Sequence, residues 1–353
     1  MALLTVHLPA EAAPEDGGAF LLGPPKSDGP AQDGPVRDGP VRVQASFELR
    51  DINGVDDVSE SFELAGVLTL RWRDPRRAFD PAAAGTAEKV YQGNFQVAEI
   101  AAGWYPQMVL ANEAGLFQVS GIALRVRPDG ASTLVQTVNA VAEARFDMRR
   151  FPFDRQRLEA MFQVPGFGAD EVMLEVAPGA EASLIRDLAI PQWRVTGARI
   201  VAGTRAAPAG AGAASTLTVS VDVERESFYV RRLITLPLVL IVLLSFSVFW
   251  MDRSSLGDRL SVSFMGILSA VAYQFVMSEL LPPISYFTLM HGFLTLSFLI
   301  MCISVVVNLV AGRLDQRGKA ALSDRIDGIS RWVFPLAYFG LLFLMVGVTM
   351  LVT

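Results

Sequence analysis

The chain has 353 residues and a net charge of −6, with 30 Lys and Arg against 36 Asp and Glu. That length exceeds one ordinary core of roughly 100–200 residues, so two domains are expected, and without a basic patch interleaved with aromatics nucleic acid is not expected as a partner. One cysteine, Cys302, precludes an intrachain disulfide and a Cys-based zinc site, and two distant histidines, His7 and His291, leave no His-rich metal site or His triad, so neither metal nor cofactor is expected.

Residues 1–40 are rich in Pro, Gly, Ala and Asp, with a tandem repeat, Asp33-Gly34-Pro35-Val36-Arg37 then Asp38-Gly39-Pro40-Val41-Arg42. Such a segment buries too little apolar surface to offset its ordering entropy, and disorder is expected. The apolar stretch after Met1 is short and lacks a cationic start, so it does not read as a signal peptide.

Residues 41–227 alternate apolar and polar positions in short stretches such as Val43–Leu49 and Phe62–Trp72. Asn53-Gly54, Pro128-Asp129-Gly130, Pro165-Gly166 and Pro178-Gly179 are turn signals between them. The pattern predicts an immunoglobulin-like β-sandwich of about ten strands. Ala206–Ser215, nearly all Ala, Gly and Pro, reads as a hairpin tip between strands near Gly197–Gly203 and Thr216–Glu224.

Residues 228–353 hold four long apolar segments, expected as helices at about 228–250, 258–281, 286–311 and 331–352. Each has the roughly 20 residues that cross a hydrocarbon core about 30 Å thick. The expected loop at 313–330 carries Arg313, Arg317, Lys319 and Arg325, with Arg331 just beyond, and the first connection carries Arg253 and Arg259. The connection at Pro282 and Pro283 carries no positive charge. Positive loops remain cytoplasmic, so the β domain and the Pro282 loop are expected outside a cell membrane. Arg231 and Arg232, at the outer end, snorkel to the interface on this reading.

The second segment carries Ser261, Ser263, Ser269, Gln274 and Ser278 between Asp258 and Glu279. Ser261, Met265, Leu268, Ala272, Phe275 and Glu279 recur at spacings of four and three, which keeps them on one helix face. Copies of that face around an axis form a pore. Asp258 then makes a carboxylate ring that attracts cations, and Leu268 and Phe275 make apolar constrictions that gate by dewetting. A helix-packing seam with charges at its ends remains the alternative.

The chain resembles a bacterial member of the pentameric ligand-gated ion channels, the superfamily of the animal Cys-loop receptors. Phe151-Pro152-Phe153-Asp154 with Gln156 is similar to the interface loop, without the flanking cysteines. Trp72, Trp104-Tyr105-Pro106, Ser247-Val248-Phe249-Trp250 and Gly257-Asp258-Arg259 follow in the family's order, with Leu281-Pro282 closing the match. The resemblance, over about residues 41–353, implies a homopentamer in membrane lipid, conducting monovalent cations and opened by a small-molecule agonist or by protons. It implies that Asp258 and Ser261 set selectivity along a path with Met265, Ala272 and Glu279, and that Leu268 and Phe275 form the gate. Asp57, Phe151, Pro152, Phe153, Asp154, Arg225 and Pro282 would form the gating interface, and Glu60 stands where a proton-gated relative has a proton-sensing carboxylate. Trp104, Tyr105, Gln163 and Phe167 are the ligand-site candidates, although the Ala206–Ser215 tip lacks the aromatic residues an amine site uses. A non-conducting membrane receptor and an anion channel of the same fold are the other readings. No HExxH, P-loop, GxSxG or kinase signature is present, so the chain is not expected to be an enzyme.

Overall fold

A computed structural model describes residues 23–25, 39–92, 103–181, 188, 190–206, 212–226, 228, 231–251, 256–280, 286 and 288–352. Nearly all of the segment expected to be disordered, the hairpin tip at 207–211, and Pro282 lie outside the described residues, as does the side chain of Glu279.

Among the described residues, ten strands form two sheets. The first has the order β3 (Lys89–Gln92), β5 (Glu113–Val126), β6 (Ala131–Glu143), β2 (Ser61–Arg73), β1 (Val41–Asp56) and β8 (Val172–Val176). The second runs β4 (Val109–Leu110), β7 (Arg155–Gln163), β10 (Ala213–Arg225) and β9 (Trp193–Ala206). All pairings are antiparallel except β1 with β8. The alternation in β1 puts Val43, Ala45, Phe47 and Leu49 inside, and β6 alternates along its whole length. Phe47 on β1 meets Phe162 on β7 with ring centroids 5.3 Å apart, which joins the two sheets through the core.

Asn53-Gly54 does not make the expected turn. It lies inside β1, where the register against β2 shifts between Ile52 and Gly54. The extra residue is absorbed as a bulge and the chain runs on to Asp56. The turn comes later, at Asp57–Glu60, where the Asp56 carboxylate accepts the amides of Val58 and Ser59 at 2.8 and 3.2 Å.

Among the described residues, four helical spans are long and apolar enough to cross a membrane. The first comprises a wide turn at Arg231–Thr235, α1 (Leu236–Phe246) and a tight 3-10 turn at Ser247–Trp250. The others are α2 (Leu256–Leu280), α3 (Leu289–Gln316) and α4 (Ala320–Val352). Phe334 on α4 packs on Phe246 and Phe249 at 5.6 and 4.9 Å, and the Tyr338 hydroxyl bonds Ser297 of α3 at 2.9 Å.

The expected loop at 313–330 is mostly helix. α3 continues to Gln316, the chain reverses at Arg317–Lys319 with Gly318 at φ 76°, and α4 begins at Ala320. Only glycine takes that backbone conformation without strain. The early turns of α4 bury Ser323, Asp327 and Ser330 on one face. Polar residues hold that face down, so a search for apolar runs starts the helix too late. Tyr286, expected inside the third helix, precedes it instead, and α3 starts from an N-cap at Thr288 that accepts the His291 amide at 3.2 Å.

Phe47→Ala should cost about 3–5 kcal/mol by emptying the centre of the sandwich. A near-UV circular dichroism melt of the solubilised protein, followed on the aromatic signals of this domain, would show it as an earlier transition, and an unchanged melt would contradict this packing.

Candidate functional site

Two places bring the singled-out residues together: the junction of sandwich and helices, and the free face of α2.

At the junction, β10 ends on Arg225, whose guanidinium is 3 % exposed. Its Nε and Nη2 donate to the two Asp154 oxygens at 2.8 and 3.2 Å. Its Nη1 and Nη2 meet the Asp57 carboxylate at 2.8 and 3.0 Å. One guanidinium thus holds two carboxylates by two forks. The ring of Trp193 lies 4.1 Å from the Arg225 Cζ and that of Phe151 5.0 Å from it. Burial disfavours the charge on Arg225, but its hydrogen bonds to Asp57 and Asp154 outweigh that and raise its pKa. The backbone closes the same knot, because the Arg225 amide donates to the Asp154 carbonyl at 3.1 Å.

Gln156 fixes the loop that carries Asp154. Its Nε2 donates to Asp154 Oδ2 at 2.7 Å and to the Asp147 carbonyl at 2.9 Å, while its Oε1 accepts the Asp147 amide at 3.0 Å. Phe151 and Pro152 are buried under this loop and Phe153 is half-buried.

The loop touches the membrane domain through Tyr286. That hydroxyl donates to the Phe146 carbonyl at 3.2 Å and accepts the Met148 amide at 2.9 Å. The Leu289 amide, at the start of α3, donates to the Arg149 carbonyl at 3.1 Å. Arg149 also lies over the Tyr286 ring at 5.5 Å.

Glu60 closes the β1–β2 turn in a left-handed conformation, φ 48°, with its carbonyl accepting the Ala144 amide at 2.8 Å. It is partly buried in a turn, not exposed on a strand. Neighbouring Asp56 has its pKa lowered by hydrogen bonds from Ser59 and Val58. Its contribution to the turn is present above the ordinary carboxylate pKa and is lost only as pH falls through the lowered value.

The ligand-site candidates fall in two environments. Trp104 is buried, edge-on to Trp72 at 6.2 Å and to Phe167 at 6.3 Å. Tyr105 is half-buried with its hydroxyl accepting from Gln107 at 2.7 Å, and Gln163 sits on β7 opposite Thr216.

Along α2 the two faces differ sharply. Arg259, Ser263, Ala270 and Met277 are buried against the other helices. Asp258, Ser261 and Ala272 are exposed, and Met265, Leu268 and Phe275 are exposed at 68, 69 and 71 %. The buried face is held by polar contacts. Ser263 accepts from Asn308 of α3 at 3.4 Å, the Tyr273 hydroxyl donates to the Ile234 carbonyl at 2.7 Å, and Arg259 pairs with Asp327 of α4. Among the described residues, nothing covers the exposed face.

Sequence reasoning found Asp57, Asp154 and Arg225 but missed Trp193, Tyr286 and Asp327. Their partners are far away in sequence, and no local pattern signals them. Arg225→Ala should destabilise the extracellular domain by about 3–5 kcal/mol, because Asp154 and Asp57 lose their counter-charge. Arg225→Lys keeps the charge but cannot fork both carboxylates, so its melting temperature should fall between the two; a lysine variant as stable as wild type would contradict the geometry.

Known proteins match in the same order along the chain. The neurotransmitter-gated ion-channel ligand binding domain matches residues 30–227, and the neurotransmitter-gated ion-channel transmembrane region matches residues 234–324. A proton-gated ion channel from Gloeobacter violaceus is 25 % identical over 300 residues, covering 84 % of this chain and 80 % of that protein. The acetylcholine receptor subunit beta-type acr-2 from Caenorhabditis elegans is 26 % identical over 283 residues, 79 % of this chain and 47 % of the receptor subunit. The gamma-aminobutyric acid receptor subunit rho-3 from Rattus norvegicus is 23 % identical over 310 residues, 84 % of this chain and 65 % of that subunit. With the first match alone spanning more than half of its length, the chain belongs to the neurotransmitter-gated ion-channel family, as a membrane protein with an extracellular ligand-binding domain and four transmembrane helices.

Proposed function

We propose that this ligand-gated ion channel is a homopentamer selective for monovalent cations, with α2 of each subunit lining the pore. The observation that carries the reading is the two-faced α2. Its inner face makes polar contacts with the two turns of the first span, α3 and α4, and its Asp258–Phe275 face is exposed. Five copies turn that face onto a common axis. Asp258 is then a ring of carboxylates at the cytoplasmic mouth, favouring cations. Ser261 and Met265 follow, Leu268 and Phe275 form the apolar gate, Ala272 lies between them, and Glu279 stands at the outer mouth.

Opening begins in the sandwich, on binding of a small molecule or on protonation of carboxylates such as Glu60. The name of the Gloeobacter violaceus relative supports testing protons first. Trp104, Tyr105, Gln163 and Phe167 are the residues to test for a small ligand. The movement passes through two links. One is covalent, from Arg225 into the first span. The other runs from the Phe151–Asp154 loop through Tyr286 to the connection holding Pro282 and to α3.

The test is a planar bilayer with purified protein under a sodium chloride gradient, with pH stepped from neutral to about 4 and small amines added separately. Current reversing near the sodium equilibrium potential is expected. Reversal near the chloride potential would overturn cation selectivity. Asp258→Ala should weaken the cation preference and leave assembly intact; an unmoved reversal potential would remove Asp258 from the selectivity ring. Tyr286→Phe loses two hydrogen bonds worth about 1 kcal/mol each at most. It should raise the stimulus for half-maximal current about threefold to tenfold without moving the reversal potential. An unaltered dose response would exclude Tyr286 from the coupling path.

A further inference from the structure

Arg259 directly follows Asp258 on α2, yet the two side chains have opposite fates. Asp258 is exposed, while Arg259 is 1 % exposed and sealed between helices. Its Nη1 and Nη2 donate to the Asp327 oxygens at 3.2 and 3.1 Å, and its Nε donates to the Val248 carbonyl at 3.2 Å. Asp327 is itself 2 % exposed and belongs to α4, on the stretch of that helix that also buries Ser323 and Ser330. One turn later Arg331 donates to the Phe249 carbonyl at 2.8 Å and lies 6.0 Å from the Trp250 ring. Two arginines therefore close the cytoplasmic end of the first span, and Asp327 forks the one adjoining Asp258.

We infer that Asp327 is a positioning residue for ion selectivity, acting from the outermost helix by cancelling the Arg259 guanidinium and leaving the Asp258 carboxylate unopposed at the pore mouth. The inference rests on the reading of Asp258 as the selectivity ring. A buried guanidinium needs a counter-charge, and Asp327 supplies it to Arg259. Buried away from water, the Arg259 charge is poorly screened and acts over several ångströms. Were it unpaired, each subunit would set one positive charge beside each carboxylate, and the ring would lose most of its attraction for cations. The bidentate fork also holds the Arg259 side chain between the helices, about 100° round α2 from the exposed Asp258.

The measurement is the sodium-to-chloride permeability ratio, from reversal potentials under a sodium chloride gradient. Channels are opened by the pH step, or in a Leu268→Ser background in which a polar side chain wets the constriction. Asp327→Asn should lower the ratio about fivefold or more by unmasking Arg259. The double variant Arg259→Gln with Asp327→Asn, which removes both charges, should return it to about the wild-type value, as a merely structural role would not. If homomeric Asp327→Asn does not assemble, co-expression with wild-type subunits should give a smaller shift of the same sign. An Asp327→Asn channel reversing where wild type does, in a preparation where Asp258→Ala moves the reversal, would overturn the inference and leave Asp258 standing. An Asp258→Ala channel that reverses unchanged, or silence under both means of opening, would overturn the pore reading and this inference with it.

Discussion

A guanidinium taken out of water must be given its counter-charge by the fold, and at Arg225 that requirement organises the junction. The two carboxylates arrive from separate places, Asp57 on the β1–β2 turn and Asp154 on the loop before β7. The β7–β10 ladder, with Arg155 opposite Glu224, brings Asp154 to the end of β10, and Asp57 joins it there from the other sheet. Removing water from all three groups is expensive, and the arrangement holds because both forks are made and Gln156 gives Asp154 Oδ2 a second donor. Two carboxylates against one guanidinium leave the knot formally negative.

The parts legible in the sequence were those written in local periodicity. Alternation marked β1, β2, β9 and β10, and long apolar runs marked the four spans, because each is decided by neighbours two to four residues away. The α2 face was legible for the same reason, since Ser261, Met265, Leu268, Ala272 and Phe275 lie within one helix and all emerge on the exposed side. The start of α4 was not, because Ser323, Asp327 and Ser330 are polar residues buried by distant partners, and composition reads them as loop. Asn53-Gly54 misled for a different reason. A strong turn signal was absorbed as a bulge because β2 pairs on both sides of it. Tyr286 was assigned to a helix by its apolar surroundings, whereas its hydroxyl is used by two backbone groups of the interface loop.

Two buried arginines, Arg225 and Arg259, meet similar demands at opposite ends of the helical domain. Each forks a carboxylate and each immediately adjoins a residue exposed to a different medium. The planar five-donor head explains the residue type: a lysine ammonium satisfies one carboxylate as a point charge but cannot hold it in plane. The separations of 71 and 68 residues between partners explain why neither pair could be read from spacing. In both cases the carboxylate partner adds an ion pair to a segment that other contacts also hold, the interface loop in one and the outermost helix in the other.

A soluble amphipathic helix buries its apolar side and leaves its polar side in water, but α2 departs from that arrangement. It buries Arg259 and Ser263 and leaves Leu268 and Phe275 bare. Hydrocarbon would accept the bare apolar residues, but not Asp258 and Ser261 on the same face. Water would accept Asp258 and Ser261, but not a row of large apolar side chains. Neither medium suits the whole face, whereas the narrow lumen of the proposed pore, lined by like faces, would suit all of it: wet where the carboxylate and hydroxyl stand, and dry at Leu268 and Phe275 until the helices separate.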